Sequence, residues 1–243
     1  MATAATNVSC NGNADGTATA TPSGGTSPYT YLWSNGGTTQ TINGLSQGVY
    51  TCTVTCTNGC TATQTVTVIE PSALAATNMQ NNVSCNGGSN GDAMVMPTGG
   101  TPGYSYNWLP SGGTAAMATG LSAGTYTCTI TDANNCTTTQ TVTITDPTAI
   151  TATATATDAS CNGGNDGSAT VAATGGTPGY TYNWTPSGGT AATATGLTAG
   201  TYACAITDAN GCVMTQTVLV SEPDPLIATP TSTSALCNGN ANG

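Results

Sequence analysis

The sequence predicts an all-β fold made of tandem immunoglobulin-like β-sandwich repeats, and three observations support this prediction. The chain repeats with a period of 76 residues, because 44 of the 63 positions in 85–147 are identical in 161–223. Each repeat is a series of short alternating runs rich in Thr and Val, as in antiparallel strands. Each repeat also has a single Trp on one of these runs. A fixed period of this kind indicates an array of repeated domains.

An acidic residue followed by proline marks each repeat boundary. The predicted repeats are residues 1–71, 72–147 and 148–223, and residues 224–243 are expected to begin a fourth repeat. Proline fixes its own φ and pushes the preceding residue into an extended conformation. Because this leaves little room for a flexible linker, we expect the repeats to stack end to end as a rod.

The third repeat illustrates the expected order of elements. Its alternating runs, separated by turns rich in Gly, Pro, Asn and Ser, are residues 149–158, 168–174, 180–184, 190–197, 201–207 and 212–222. These runs and turns predict about seven strands per repeat. Helices are disfavoured because β-branched residues dominate and Gly or Pro interrupts every run.

Aromatic residues alternate along one predicted strand of each repeat. Tyr180, Tyr182 and Trp184 point to one face of their strand, because strand side chains alternate. A Leu-x-x-Gly-x-Tyr-x-Cys run follows at 197–204, and the two features resemble the core Trp and the tyrosine corner of immunoglobulin-like sandwiches. We expect this Tyr-x-Tyr-x-Trp stripe to lie in the core. An exposed platform for stacking sugars is the alternative.

The charge composition excludes several classes of function. The chain has no Lys, Arg or His and ten acidic residues, so its formal charge is -10. It cannot neutralise phosphates, which excludes nucleic acid as a partner, and an anionic membrane would repel it. Catalysis by imidazole, lysine or arginine is excluded for the same reason. Since most carboxylates, such as Asp132 and Asp208, recur at equivalent positions, the sequence predicts structural roles, no enzyme, no cofactor and no metal site.

The sequence also indicates no direct membrane insertion by this segment. No run approaches the ~20 apolar residues of a membrane span. Residues 1–3 lack the basic and apolar regions of a signal peptide. We therefore expect any export signal and anchor to lie outside this segment.

Two loops rich in Asn, Asp and Gly are candidates for calcium, which prefers oxygen ligands. They are residues 89–92 and 164–167. Both have fewer carboxylates than a dedicated calcium site. A turn supported by Asn, Asp and Gly is the favoured interpretation.

The segments SCNGGNDGSATVAATGGTPGYTYNW and GLTAGTYACAITDANGC of the third repeat carry a family resemblance. They are similar to the SprB-type repeat of giant surface adhesins in gliding Bacteroidetes, and all three full repeats share the pattern. The resemblance implies a tandem array exported to the bacterial cell surface, by the type IX system, and used in adhesion or surface movement. One departure from the family pattern is a cysteine in place of valine at Cys52, Cys128 and Cys204.

The eleven cysteines indicate an oxidised, exported protein. The family's usual cysteines are those of SCNG and NGC, which implies pairing within each repeat, as Cys10–Cys60, Cys85–Cys136 and Cys161–Cys212. A rival pairing joins the SCNG cysteine to the strand cysteine, as in Cys85–Cys128. Under the first scheme Cys52, Cys128 and Cys204 are either buried apolar groups or bridges to a neighbouring chain. Cys56 is the odd cysteine that we expect to be exposed and reactive.

Two functional hypotheses remain at this point. The first is a structural segment, the shaft of a long extracellular adhesin or surface filament. Its partners would be other copies of the same repeat, end to end and laterally through exposed strand edges. The alternative is a carbohydrate-binding array that uses the aromatic stripe, with surface glycans as partners. The exposure of Trp108 and Trp184 distinguishes the two.

Overall fold

The computed structural model describes residues 1–232 of the chain, and within them it contains eighteen β-strands and no helix. Each predicted repeat contains six of these strands. In repeat 1 they are β1 (Ala2–Thr6), β2 (Gly16–Thr21), β3 (Tyr29–Trp33), β4 (Thr41–Leu45), β5 (Gly48–Cys56) and β6 (Thr61–Val68). In repeat 2 they are β7 (Ala75–Asn81), β8 (Gly91–Thr98), β9 (Ser105–Leu109), β10 (Met117–Leu121), β11 (Gly124–Thr131) and β12 (Thr137–Ile144). In repeat 3 they are β13 (Thr151–Thr157), β14 (Gly167–Thr174), β15 (Thr181–Thr185), β16 (Thr193–Leu197), β17 (Gly200–Thr207) and β18 (Val213–Val220).

Each repeat is a sandwich of two three-stranded antiparallel sheets. In repeat 2 the strand orders are β10-β8-β7 and β12-β11-β9, and the other two repeats have the same topology. In the second sheet the register places Trp108 opposite Cys128. The all-β sandwich class predicted from the sequence is therefore confirmed. The count of about seven strands was too high, because the six alternating runs account for every strand.

Both sheets of a repeat contribute to one core, and each repeat has its own. Alternation explains this arrangement, since β8 buries Ala93 and Val95 while its intervening residues are less buried. Gly91 begins β8 where a Cβ would lie 2.8 Å from Ile144 Cγ2, so only glycine allows the sheets to approach there.

The chain divides into two compact units. One comprises Met1–Val83 and Gly87–Asp146, and the other comprises Ser84–Asn86 and the residues from Pro147 onward. Repeats 1 and 2 thus share a unit, and the short segment 84–86 of repeat 2 belongs to the unit of repeat 3. The repeat boundaries stay a prediction. Most of the predicted start of a fourth repeat, including LCNGNANG, lies outside the described residues.

Candidate functional site: the cysteine clasps

Two disulfide bonds join cysteines that belong to successive repeats in the sequence. They are Cys10–Cys136 and Cys85–Cys212, with Cα–Cα distances of 5.7 and 5.6 Å. The rival pairing Cys85–Cys128 is wrong. So are the three pairings predicted within the repeats, namely Cys10–Cys60, Cys85–Cys136 and Cys161–Cys212. Cys60 and Cys161 have free thiols.

The two cysteines within one repeat lie at opposite ends of a strand. In repeat 1 the loop that carries Cys10 is held near the end of β6, since Val8 N donates to Ile69 O at 3.0 Å and Gly12 N donates to Glu70 Oε2 at 2.7 Å. Cys60 immediately precedes the start of that eight-residue strand. A strand of this length separates them by roughly 26 Å, far more than a disulfide spans. Cys136, at the equivalent position of the next repeat, lies within bonding distance of Cys10 instead.

We call each disulfide and its surrounding hydrogen bonds a clasp. The first clasp consists of Ser9, Cys10, Thr101, Asp132, Asn134 and Cys136. Asn134 Nδ2 donates to Ser9 O at 2.9 Å and to Thr101 Oγ1 at 3.0 Å. Asn134 therefore holds the backbone beside Cys10 against the turn that carries Cys136.

Asp132 organises the turn of the first clasp. Its carboxylate accepts hydrogen bonds from the backbone N–H groups of Thr101 at 2.8 Å, Asn134 at 2.9 Å and Cys136 at 2.9 Å. These bonds hold the pKa of Asp132 below its ordinary value, and the bond from Thr101 has the largest effect. Asp132 is only 4 % exposed, and in a chain without side-chain cations these N–H dipoles stabilise its charge. Gly100 is required beside it, because a Cβ there, at φ +62°, would lie 2.6 Å from Asp132 Oδ2.

The second clasp repeats this arrangement with Ser84, Cys85, Thr177, Asp208, Asn210 and Cys212. Asn210 Nδ2 donates to Ser84 O at 3.1 Å and to Thr177 Oγ1 at 3.0 Å. Asp208 accepts from Thr177 N at 2.8 Å, and this bond is the first cause that lowers its pKa. A groove of about 440 Å³ lies beside this clasp, lined in part by Cys85, Asp208 and Cys212.

The corresponding turn in repeat 1 has a thiol in place of the carboxylate. Cys56 occupies the position of Asp132, and Cys60 N donates to Cys56 Sγ at 3.2 Å. The prediction that Cys56 is exposed is wrong, because it is 7 % exposed at the end of β5. A backbone hydrogen bond from Thr26 is the first cause that lowers the pKa of Cys56. The pKa of Cys60 is raised, and the largest cause is its hydrogen bond with the Cys56 side chain.

The strand cysteines are core residues. Cys52, Cys128 and Cys204 are completely buried with free thiols, and burial raises the pKa of each. They fill positions opposite the core Trp of their sheet, as the register of Trp108 and Cys128 illustrates. Of their two predicted roles, the structure supports the buried apolar group.

The tryptophans of the aromatic stripe lie in the core, and its tyrosines are partly buried against it. Trp108 and Trp184 are 2 % and 4 % exposed, and their Nε1 atoms donate to Ala115 O at 3.0 Å and Ala191 O at 2.9 Å. The tyrosine corner is present as well, since Tyr126 Oη donates to Ser122 O at 3.1 Å. The Trp rings are therefore not available for stacking on sugars.

Aspartates of the two acidic loops accept hydrogen bonds from neighbouring residues. Asp166 Oδ1 accepts a hydrogen bond from Ser160 N at 3.0 Å. The pKa of Asp166 is lowered mainly by the hydrogen bond from the Ser160 side chain and then by the one from its backbone. Asp92 accepts from Asn81 Nδ2 at 3.0 Å. In the part of the chain that the structure describes, no three His, Cys, Asp or Glu side chains are grouped to hold a metal ion. Among residues 1–232 there is also no helix with the length and apolarity to cross a bilayer.

By its fold and its clasps, the chain belongs to the class of tandem β-sandwich proteins whose successive repeats are cross-linked by disulfides. The sequence profile of the SprB repeat matches residues 2–38, 77–113 and 153–189. The chain thus contains three matches to the SprB repeat, one in each predicted repeat, as its motifs predicted. Among curated proteins, none matches the chain.

Several solved structures of immunoglobulin domains are similar to this chain. The N-terminal eight Ig domains of Down Syndrome Cell Adhesion Molecule are 13% identical over 80% of this chain and 33% of that one, with a TM-score of 0.38. Domains 3–5 of Drosophila OTK are 14% identical over 82% and 87%, with a TM-score of 0.34. The amphioxus IgVJ-C2 molecule is 18% identical over 59% and 96%, with a TM-score of 0.27. The chain thus spans about a third of the first of these structures.

Proposed function

We propose that this chain is a tension-bearing shaft segment of a long adhesin or surface filament on a bacterial cell, exported by the type IX system and supporting adhesion or surface motility. The observation that carries this proposal is the pairing of cysteines across successive repeats. End-to-end and lateral contacts with further copies of the repeat belong to the same proposal.

The clasps shorten the covalent path through the chain. Cys10 and Cys212 are 202 residues apart along the main chain. Through the two disulfides, only the 51 residues from Cys85 to Cys136 separate them. A force that pulls on the chain before Cys10 and after Cys212 is therefore carried by the two disulfides and residues 85–136. It cannot extend residues 11–84 or 137–211, even when the sandwiches unfold.

The clasps also stabilise the folded repeats. On the chain-entropy view, a disulfide that closes a loop of 126 residues removes about 5 kcal/mol of denatured-state freedom. Small sandwiches bury a modest fraction of their surface and benefit from such cross-links. The uniform negative charge adds solubility at the cell surface. The glycan-binding alternative lacks an exposed Trp and has no observation in its favour.

Single-molecule force spectroscopy on the full chain tests this function. Because 151 fewer residues lie on the oxidised path, the maximum extension between Cys10 and Cys212 should be about 500 Å shorter before reduction than after it, at ~3.3–3.6 Å per residue. In Cys136→Ser the path becomes the 75 residues from Cys10 to Cys85, followed by the second disulfide. Equal extensions of the oxidised and reduced chain would contradict the proposal.

A further inference from the structure

Three methionines form a row across the outer face of the sheet β10-β8-β7 in repeat 2. The register pairs Met94 of β8 with Met79 of β7 on one side and with Met117 of β10 on the other. Their side chains are 60 % (Met79), 39 % (Met94) and 45 % (Met117) exposed, whereas Ala93 and Val95 on the opposite face of β8 are buried. We call Met79, Met94 and Met117 the methionine row.

The fold does not require methionine at these positions. The corresponding sheets of repeats 1 and 3 have the same strand order. In repeat 3 the same register positions hold Thr155, Thr170 and Thr193, and the hydroxyl groups of Thr170 and Thr193 are hydrogen-bonded at 3.0 Å. In repeat 1 they hold Ala4, Thr19 and Thr41. The row is therefore particular to repeat 2 among the three repeats.

We propose that the methionine row binds a soft monovalent metal ion of the Cu(I) class through its three thioether sulfurs. Thioether ligands select Cu(I), whereas carboxylates, carbonyls and water suit hard cations such as Mg²⁺ and Ca²⁺. The site is independent of the shaft function and adds a ligand to it.

The row has a spacing that suits one ion. Directly paired residues on one face of an antiparallel sheet have Cβ atoms about 4.5–5.5 Å apart. Met94 lies on the central strand, so Met79 and Met117 each need to reach across only one strand. Methionine is unbranched and has three rotatable bonds, which allows the three sulfurs to converge. Met96, two residues along β8 on the same face, places a fourth thioether beside the row.

The type of residue favours a metal ligand over a simple apolar contact surface. Exposed apolar positions on other sheets hold residues such as Leu32, Leu109 and Leu219. Four of the chain's six methionines, in contrast, are the row and Met96 on this one face. An apolar contact needs no sulfur, whereas a soft cation does. The property that the four residues share is thus the thioether.

The charge beside the row also suits a cation. Asp92 precedes Met94 by two positions on β8, so it lies on the face of the row. Its carboxylate accepts hydrogen bonds from Asn81 Nδ2 at 3.0 and 3.1 Å. The equivalent residue is Ser168 in repeat 3 and Thr17 in repeat 1, so the carboxylate and the methionines occur together. Because the chain has no Lys, Arg or His, no side-chain cation competes for the site.

The test titrates Ag(I), a redox-stable stand-in for Cu(I), into the full chain after its accessible thiols have been alkylated. Alkylation is needed because Cys60 and Cys161 are exposed thiols, and thiolates bind the same soft ions. With isotope-labelled methionine methyl groups, NMR should show the signals of the row shifting together and saturating at one ion per chain. The methyl signal of Met214, which packs against the core of repeat 3, should not move. Mg²⁺ should leave all these signals unchanged.

Met94→Leu removes the central thioether and keeps the apolar surface. It should weaken Ag(I) binding at least about tenfold, since even the loss of an outer-shell partner of a metal site typically costs this much. Met214→Leu is the matched control and should bind Ag(I) as the parent chain does. Full binding by Met94→Leu, or a parent chain that binds no Ag(I) after alkylation, would overturn the proposal.

Repeat 3 offers a test by transplantation. The triple replacement Thr155→Met, Thr170→Met and Thr193→Met rebuilds the row on a sheet of the same register. We expect this variant to bind two Ag(I) ions per chain, counted by native mass spectrometry, where the parent chain binds one. A triple variant that still binds only one ion would show that three thioethers in this register do not make a site, and would also overturn the proposal.

Discussion

The side-chain amide of Asn134 donates a hydrogen bond to the backbone carbonyl of Ser9, at 2.9 Å across a sequence separation of 125 residues. The bond lies beside the Cys10–Cys136 disulfide, so a non-covalent and a covalent contact join repeats 1 and 2 at the same place. Asn210 and Ser84 make the equivalent bond beside Cys85–Cys212. The turn that ends at Cys136 in repeat 2 and at Cys212 in repeat 3 is thus a binding element for the SCNG segment of the repeat before it.

Replacing Asn134 should weaken the first clasp. Asn134→Ala removes the bonds to Ser9 and Thr101, and one such bond contributes about 1 kcal/mol. Because two such bonds are lost, we expect the melting temperature of the unit containing repeats 1 and 2 to fall by about 4–8 °C, measured by calorimetry on the oxidised chain. Asn107→Ala, an exposed change on β9, is the control and should shift it less. Equal shifts for both variants would contradict this role of Asn134.

Breaking the first disulfide should destabilise the array far more. In Cys136→Ser the loop between Cys10 and Cys136 is no longer closed, and we expect a loss of about 2–5 kcal/mol in urea unfolding. Cys10→Ser should have a similar effect, and the double variant should add little, because both remove the same bond. Cys60→Ser is the matched control and should change stability slightly. Peptide mapping that links Cys10 to Cys60 in the unmodified chain would overturn the pairing.

Acid should loosen the clasp turns. The pKa values of Asp132 and Asp208 are lower in the folded chain than the ordinary value of about 3.9, mainly through backbone hydrogen bonds from Thr101 and Thr177. A lowered folded pKa contributes stability that is present above the unfolded pKa and is lost as the pH falls through the folded one. We therefore expect the urea midpoint to fall as the pH is lowered from 5 toward 2.

Asp132→Asn separates the carboxylate from the rest of the acid response. Its amide cannot accept all the bonds that Asp132 accepts, so the variant should be less stable at pH 7 and lose less stability on acidification. Asp224→Asn, at an exposed position after the last strand, is the control and should keep the full response. An unchanged acid response in Asp132→Asn would show that this carboxylate is not its source.

The sandwich was predictable because its determinants are local. The alternation of Tyr180, Tyr182 and Trp184 predicted a core strand, and the structure buries Trp184. The Leu-x-x-Gly-x-Tyr-x-Cys run predicted a tyrosine corner, and Tyr202 Oη donates to Thr198 O at 3.0 Å. The burial of Cys56 was missed, because the sequence shows that Cys56 replaces the Asp of the TDAN motif but does not show that this Asp is buried.

By itself, the sequence determined the period, the strands, the core positions and the absence of cations, since each depends on residue type and short-range spacing. Only the tertiary structure decided how the cysteines pair. Every repeat carries the same two motifs, so spacing along the chain cannot distinguish a bond within a repeat from one to the next. The length of β6 decides it, because that strand holds Cys10 and Cys60 at opposite ends of one sandwich, so Cys10 bonds to Cys136 of the next repeat instead.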